Sequence, residues 1–239
     1  MKSKLKMFLF ILFLLGGCSS TEKPINTVGE LSYEYTEDCI VYIEENEEYI
    51  PYIVVTNNYN GNTLLLRQEA LIEELAFSTD IDDDDDYYVD SRIDMYLNTV
   101  YYDSLSDYLK QIIIESDIEI TQNYPNLFET EKISRKIFIL SATEVGIDSS
   151  VVNTEGVPLE YFYISENRLC NKDDVPISWW LRSNYLADRS LVWCIGSDGI
   201  LGGDGVQYTH GIRPVFCISS DTSVVLKQID TDLEIYIIE

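Results

Sequence analysis

The stretch from Ser178 to Ile218 constrains the fold more than any other, because a tryptophan-rich motif, SWWLRS, is followed there by HGIRPVFCI. Trp179 and Trp180 supply a large apolar surface, and the forked guanidinium groups of Arg182 and Arg213 can donate to several carbonyls or carboxylates at once. Side chains of this kind fix the points where chain segments cross. The stretch therefore predicts a region of the core where several chain segments cross and pack together.

The segment between the two motifs alternates apolar runs with glycine-containing pairs. The pairs are Asp198-Gly199, Gly202-Gly203 and Asp204-Gly205. Strands joined by tight turns have this pattern. We therefore expect two or three short antiparallel strands here.

Upstream, several segments have the alternation and turn residues of strands. Apolar strands are predicted over Cys39–Ile43, Tyr49–Thr56, Thr63–Arg67, Asp117–Thr121, Ile137–Leu140 and Glu160–Ile164. Asn60 and Gly61 lie between the second and third of these, which predicts a β-hairpin.

Helical periodicity is found in three places. A helix capped by Ser91 is predicted to run through Tyr101, and a second from Ser104 or Ser106 to Ser116. A short helix is predicted over Glu69–Phe77. Ser141 and Glu144 have the spacing of a capping box, which favours a structural role for Glu144.

Four ordered blocks together resemble a bacterial domain family of unknown function that is common in surface-exposed proteins of Gram-positive bacteria. The blocks are Tyr88–Asn98, Ile137–Glu144, Trp179–Ser183 and Gly211–Pro214. The last two are also similar to the C-terminal half of formylglycine-generating-enzyme-like domains, whose fold is an irregular relative of the C-type lectin fold. That similarity implies an irregular C-type-lectin-like fold and carries no activity with it. Two main helices beside short antiparallel strands predict the fold class α+β.

The N-terminus has the pattern of a lipoprotein signal. Three lysines precede a short apolar run, Met7 to Leu15, and small residues then lead to Cys18. This predicts a signal peptide over residues 1–17, acylation (palmitate) of Cys18, and anchoring to the outer face of a cell membrane. Residues 18–37 are predicted to form a flexible tether, and residues 38–239 a single globular domain.

The charge balance excludes some partners. The 239 residues include 42 Asp and Glu against 16 Lys and Arg, a net charge of −26. So acidic a protein repels nucleic acid and anionic lipid. The excess of carboxylates either forms a solvated acidic surface, which is the favoured interpretation, or attracts cationic ligands or a divalent metal.

The acidic run Asp82–Asp86 is the candidate metal site. An EF-hand loop starting at Asp80 would place Asp85 where glycine is required and Ser91 where glutamate is required, so that motif is excluded. The run is either a solvated loop or an irregular calcium site with Asp82, Asp84 and Asp86 as candidate ligands.

Four cysteines follow Cys18, and no C-x-x-C spacing marks a zinc or redox site. Disulfides are permitted outside the membrane. The alternatives are bridges Cys194–Cys217 and Cys39–Cys170, or four buried reduced thiols.

His210 is the single histidine, so a histidine base would have to be this residue, with Ser183 or Thr209 as nucleophile. No nucleophile elbow, phosphate loop or dinucleotide motif accompanies it. We therefore assign no catalytic residue and no cofactor apart from the calcium candidate.

Three functions remain open. The favoured one is non-catalytic binding of a glycan, peptide or protein partner by a membrane-anchored lipoprotein. Its candidate binding residues are Trp179, Trp180, Arg182, Trp193, His210 and Arg213. The alternatives are an enzyme related to formylglycine-generating proteins or another hydrolase, and a structural component of the cell envelope. Burial of all three tryptophans would argue against an aromatic groove.

Overall fold

The computed structural model of the chain describes residues 24–34, 36, 39–45, 47–71, 74–78, 87–122, 128–147, 152–186, 188, 190–231 and 233–238. Strands account for 43% of the structure and helices for 16%, and one helix reaches 13 residues. The predicted α+β, C-type-lectin-like fold with two main helices is therefore wrong. The protein has a β-rich sheet fold, because segments with ambiguous periodicity are drawn into strand pairing.

Fifteen strands organise the described residues. In chain order they are β1 (Ile40–Glu45), β2 (Glu48–Tyr59), β3 (Asn62–Arg67), β4 (Leu75–Ala76), β5 (Ser116–Thr121), β6 (Thr130–Arg135), β7 (Asn171–Lys172), β8 (Val175–Pro176), β9 (Trp179–Asn184), β10 (Leu191–Ile195), β11 (Leu201–Gly205), β12 (Thr209–His210), β13 (Val215–Ile218), β14 (Val224–Asp230) and β15 (Leu233–Ile238). Six form one sheet in the order β13-β3-β2-β1-β15-β14, and three form a second, β11-β10-β9. The rest pair as β12-β4, β5-β6 and β7-β8.

The hairpin β2–β3 lies inside the six-stranded sheet and confirms the prediction from its turn residues. Asn60 and Gly61 have φ values of 51° and 82°, the left-handed conformation that a tight hairpin turn requires. Leu64, Leu65 and Leu66 are all fully buried, as expected of a strand covered on both faces.

The long helix, α1, begins after Ser91, whose hydroxyl accepts from the Asp94 N–H at 3.1 Å as predicted. Its bounds are Arg92–Tyr96, a π-helical turn Leu97–Tyr101, and a final turn Tyr102–Ser104. The amide of Asn98 donates to the Ile137 carbonyl at 2.9 Å. This polar residue therefore ties α1 to the Ile137–Leu140 segment.

The second predicted helix is shorter than expected. Helix α2 spans Asp107–Ile112, and Ile114 then forms a bridge with Cys217. Strand β5 begins at Ser116, which confirms the strand predicted from Asp117. Long-range pairing thus ends the helix before its apolar periodicity does.

Three further expectations are corrected. Within the predicted helix Glu69–Phe77, the described residues Leu75 and Ala76 are strand β4, paired with β12. The predicted strand Glu160–Ile164 is a 3-10 turn, Glu160–Tyr163, followed by a second, Ser165–Arg168. The pairs Gly202-Gly203 and Asp204-Gly205 lie inside β11 instead of forming turns.

Part of the segment predicted as a tether packs against the sheet. Val28 and Leu31, in a 3-10 turn, are buried, and the Val28 N–H donates to the Thr222 carbonyl at 2.9 Å. The folded domain therefore includes residues upstream of the boundary predicted at residue 38. No helix in the described ranges is both long and apolar enough to cross a bilayer.

Candidate functional site

The motif tryptophans lie in the core. Trp179 and Trp180 are fully buried, and Trp193 on β10 is 7% exposed. The Trp179 indole donates to the Arg168 carbonyl and the Trp180 indole to the Leu75 carbonyl, each at 2.9 Å. Buried rings offer no surface to a ligand, so their positions argue against the aromatic groove predicted at this motif.

Arg182, on β9, forms a buried ion pair with Glu144. Its Nη1 and Nη2 donate to the two carboxylate oxygens at 2.6 and 2.8 Å. Nη1 also donates to the Ile139 carbonyl at 2.9 Å, and Nε to the Glu119 carbonyl at 3.0 Å. This confirms the prediction that the guanidinium ties several chain segments together.

Glu144 is saturated by donors. It accepts from the Ser141 N–H at 2.9 Å, and the Ser141 hydroxyl accepts from the Glu144 N–H at 3.0 Å, which confirms the predicted capping pair around an irregular turn. The Tyr59 hydroxyl donates to Glu144 Oε1 at 2.7 Å. Burial and the Glu144 charge raise the pKa of Tyr59, so its hydroxyl keeps its proton. Glu144 therefore has a structural role.

No sequence motif marks Glu155, a second carboxylate in the core. It accepts from the Thr121 N–H at 2.8 Å and from the hydroxyls of Thr121 and Ser183. Burial raises the pKa of Glu155, while the nearby Arg182 charge and these donors oppose the shift. Its partners come from two strands that are distant in sequence. The short polar loop around Glu155 therefore contains no pattern that identifies it as a core carboxylate.

His210 pairs with a carboxylate but faces no activated nucleophile among the described residues. Its Nε2 lies 2.9 Å from the Asp204 carboxylate, and its ring centroid lies 4.4 Å from that of Trp180. Burial, then the Asp204 charge, raises the pKa of Cys194 to about 12, which leaves a protonated, unreactive thiol. The Ser183 hydroxyl donates to Glu155.

Of the two alternatives for the cysteines, the bridge between Cys194 and Cys217 is absent. Cys194 pairs with Trp180 in the three-stranded sheet, whereas Cys217 pairs with Leu64 in the six-stranded sheet. Cys39 and Cys170 are also buried, and none of the four forms a disulfide. The structure therefore has the alternative of four buried thiols.

An open cleft of about 480 Å³ is lined by Tyr59 and Glu144 and by four further carboxylates. Two of its apolar side chains, Val157 and Tyr163, are 68% and 69% exposed. We call this surface the acidic cleft. It is formed by Glu34, Val55, Thr56, Asn58, Tyr59, Asn60, Asp117, Glu119, Lys132, Glu144, Gly156, Val157, Pro158, Leu159, Glu160 and Tyr163.

The cleft carries an excess of negative charge. Glu34 accepts from the Thr56 hydroxyl at 2.6 Å, and Glu119 accepts from the Gly156 N–H at 2.9 Å. Lys132 is the single cation of the lining, and its Nζ lies 3.7 Å from Glu119. The lining therefore has a net negative charge, which a cationic ligand would neutralise.

Arg213, in the GIRP motif between β12 and β13, is buried but only partly bonded. Its Nε donates to the Arg67 carbonyl at 3.2 Å, and its guanidinium carbon lies 5.0 Å from the Trp179 ring centroid. Its Nη1 is buried and has no hydrogen-bond partner in the described part of the chain. This leaves Arg213 with donor capacity that Arg182 lacks.

Two predicted sites lie outside the described residues. They are the lipidation site, Cys18, and the calcium candidates Asp82, Asp84 and Asp86. In the ranges that the structure describes, no group of three or more His, Cys, Asp or Glu side chains is placed to hold a metal ion.

Comparison with known proteins yields one family. A family model described as a domain of unknown function (DUF6273) matches residues 60–220, about two thirds of the chain. The matched range contains both Arg182 and Arg213 and leaves out β1, β2, β14 and β15. No curated protein and no solved structure matches the chain. The match carries no information on lectin-like or formylglycine-generating-enzyme-like similarity.

Proposed function

Since the chain belongs to the DUF6273 family of domains of unknown function, we propose that it is a lipid-anchored surface protein whose domain binds a basic segment of a peptide or protein partner without catalysis. The observation that carries this proposal is the acidic cleft. Its lining joins five carboxylates and one lysine to exposed apolar side chains.

The charge of the cleft fits a ligand with several cationic groups. A single exposed ion pair contributes only about 0.2–1 kcal/mol, so useful affinity requires several contacts at once. The net charge of −26 adds a long-range attraction that speeds the encounter with a cation. The exposed ring of Tyr163 supplies apolar contact area and a face for a lysine or arginine side chain.

Groups that would support catalysis are committed elsewhere. Glu144 is held by Arg182, Ser141 and Tyr59, and the Ser183 hydroxyl by Glu155. The raised pKa of Cys194 keeps its thiol protonated. These arrangements favour a binding role over the alternative of a hydrolase.

The anchoring part of the proposal rests on the lipobox before Cys18. We expect cells that express the full-length chain to incorporate labelled palmitate into it, and the Cys18→Ala variant to incorporate none. Equal labelling of both variants would refute acylation at this residue. The label would then have to be mapped to another position.

The binding proposal is tested with pentalysine as the probe and pentaglutamate as the control peptide, by calorimetry on the full-length chain. We expect saturable binding of pentalysine that weakens as salt is added, because exposed charge pairs are screened. Neutralising two cleft carboxylates, with Asp117→Asn and Glu160→Gln together, should weaken binding by about tenfold.

A matched control removes two charges elsewhere. Glu48 and Glu234 are exposed and outside the cleft lining, so Glu48→Gln with Glu234→Gln changes the net charge equally. We expect this pair to leave affinity within about twofold of the original, a difference below 0.5 kcal/mol. Equal weakening by both double variants would mean that only the overall field attracts the peptide, and the cleft would be rejected as the site.

A further inference from the structure

A small cavity lies beside Arg213, and its lining shares no residue with that of the acidic cleft. Its volume is about 150 Å³, close to the share of about five waters in the liquid. Polar side chains dominate its wall, which is formed by Ile53, Gln68, Glu69, Tyr161, Glu166, Asn167, Leu169, Asn171 and Arg213. Gln68 and Asn171 are exposed, so the cavity opens to solvent, whereas Arg213 in the same wall is 1% exposed.

Arg213 is a buried cation without a counter-charge among the described residues. No carboxylate there lies within ion-pair distance of it, and its Nη1 has no hydrogen-bond partner. One face of the guanidinium is covered by the Trp179 ring. A guanidinium can only donate hydrogen bonds, so a ligand group that binds the unused donor of Arg213 must be an acceptor. A carboxylate fits best, because its charge is opposite and its two oxygens match the paired donors.

The rest of the wall selects against a simple anion. Glu69 and Glu166 are part of the same lining, and the protein as a whole carries a charge of −26. Both would repel a free anion, whereas a zwitterion has no net charge and can present an ammonium group to a carboxylate. The wall therefore contains a donor for the carboxylate and acceptors for the ammonium group of such a molecule.

We propose that this cavity binds a small amino acid, with the ligand carboxylate on Arg213 and the ligand ammonium group on Glu69. The site does not depend on peptide binding in the acidic cleft. Its lining shares no residue with that of the cleft.

Calorimetry on the full-length chain tests this with glycine, acetate and methylammonium as probes at matched ionic strength. We expect glycine to bind about tenfold or more tightly than either single-charge probe. Glu69→Gln should reduce glycine binding to the level of acetate. Arg213→Lys keeps the positive charge but loses the paired donors of the guanidinium group. This variant should therefore bind both glycine and acetate more weakly.

A second variant covers the case in which the Arg213 variant does not fold. Asn171 is exposed at the cavity wall, so Asn171→Trp should block entry and abolish glycine binding without disturbing the core. Pentalysine binding to this variant should stay unchanged, which separates the two sites. Absence of glycine binding to the original protein, glycine binding no tighter than acetate, or undiminished glycine binding to Asn171→Trp would each overturn the proposal.

Discussion

Arg182 and Arg213 come from the two halves of one motif and are both 1% exposed, yet their surroundings differ. Arg182 donates hydrogen bonds to both carboxylate oxygens of Glu144 and to two backbone carbonyls. Arg213 donates to one carbonyl, faces the Trp179 ring and leaves Nη1 unbonded in the described structure. Two equally buried arginines can therefore have different roles, because the role depends on the hydrogen-bond and ion-pair partners of each guanidinium.

The partners of a buried arginine separate a structural arginine from a candidate binding arginine. A buried charge whose partner is removed is costly, since the remaining ion stays without compensation. The Arg182 region should therefore fail when one partner is lost. In the described part of the chain Arg213 lacks a counter-charge, so loss of its guanidinium should matter much less to stability.

The largest effect is expected at Arg182. Arg182→Met should lower the free energy of unfolding by about 3–5 kcal/mol, because Glu144 stays buried without its cation. Chemical denaturation measures this difference. Adding Glu144→Leu should restore part of the loss, and a Met variant as stable as the original protein would show that the ion pair contributes little.

A second effect is expected from pH in the same region. Burial raises the pKa of Glu155, so this residue contributes stability that is fully present below the ordinary glutamate pKa and is lost as pH rises through the raised value. Glu155→Gln should therefore gain in stability relative to the original protein as pH rises. The gain is about 1.4 kcal/mol for each unit by which the pKa is raised.

Melts of both proteins across the pH range isolate the contribution of Glu155, because other titrating groups cancel in the difference. A difference that does not change with pH would mean that the fold does not alter the ionisation of Glu155. The contrast between the two arginine regions would then rest on Glu144 alone.

A smaller effect is expected at Tyr59. Tyr59→Phe removes one donor to Glu144 and leaves Arg182 in place, so the free energy of unfolding should fall by about 1 kcal/mol. Tyr163→Phe is the matched control, since Tyr163 is 69% exposed and its loss of a hydroxyl should change nothing. Equal effects of the two substitutions in denaturation would contradict the saturated network around Glu144.

The smallest effect on stability is expected at Arg213. Arg213→Met loses one hydrogen bond and a ring contact but also removes an uncompensated buried cation, so the net change should stay within about 1 kcal/mol. The same denaturation assay as for Arg182→Met applies. A loss as large as that at Arg182 would mean that both arginines have the same structural role.

Features that depend on near neighbours were predictable from sequence. The Asn60-Gly61 hairpin and the Ser91 cap are set by residues within one turn, and both are present. The role of Arg182 followed from its chemistry. Its main partner was also assigned a structural role, through the Ser141–Glu144 spacing.

Features that depend on distant pairing were not predictable. Leu75 and Ala76 have a helical pattern but pair with Thr209 and His210 across the chain. The predicted strand at Glu160–Ile164 becomes a 3-10 turn in which the Tyr161 ring packs 5.1 Å from that of Tyr33. The carboxylates of the acidic cleft come from segments that are separate in sequence, so no local motif predicts the cleft.

The position of β15 has a consequence for how the protein comes to be folded. This strand lies between β1 and β14 and pairs with β1 in parallel, so the first and last strands meet inside the main sheet. A growing chain cannot complete that sheet until Leu233–Ile238 has been synthesised. Contacts between such remote residues make folding slow. We therefore expect the main sheet of the nascent chain to stay incomplete until Leu233–Ile238 has left the ribosome, which keeps the chain open for the proposed export.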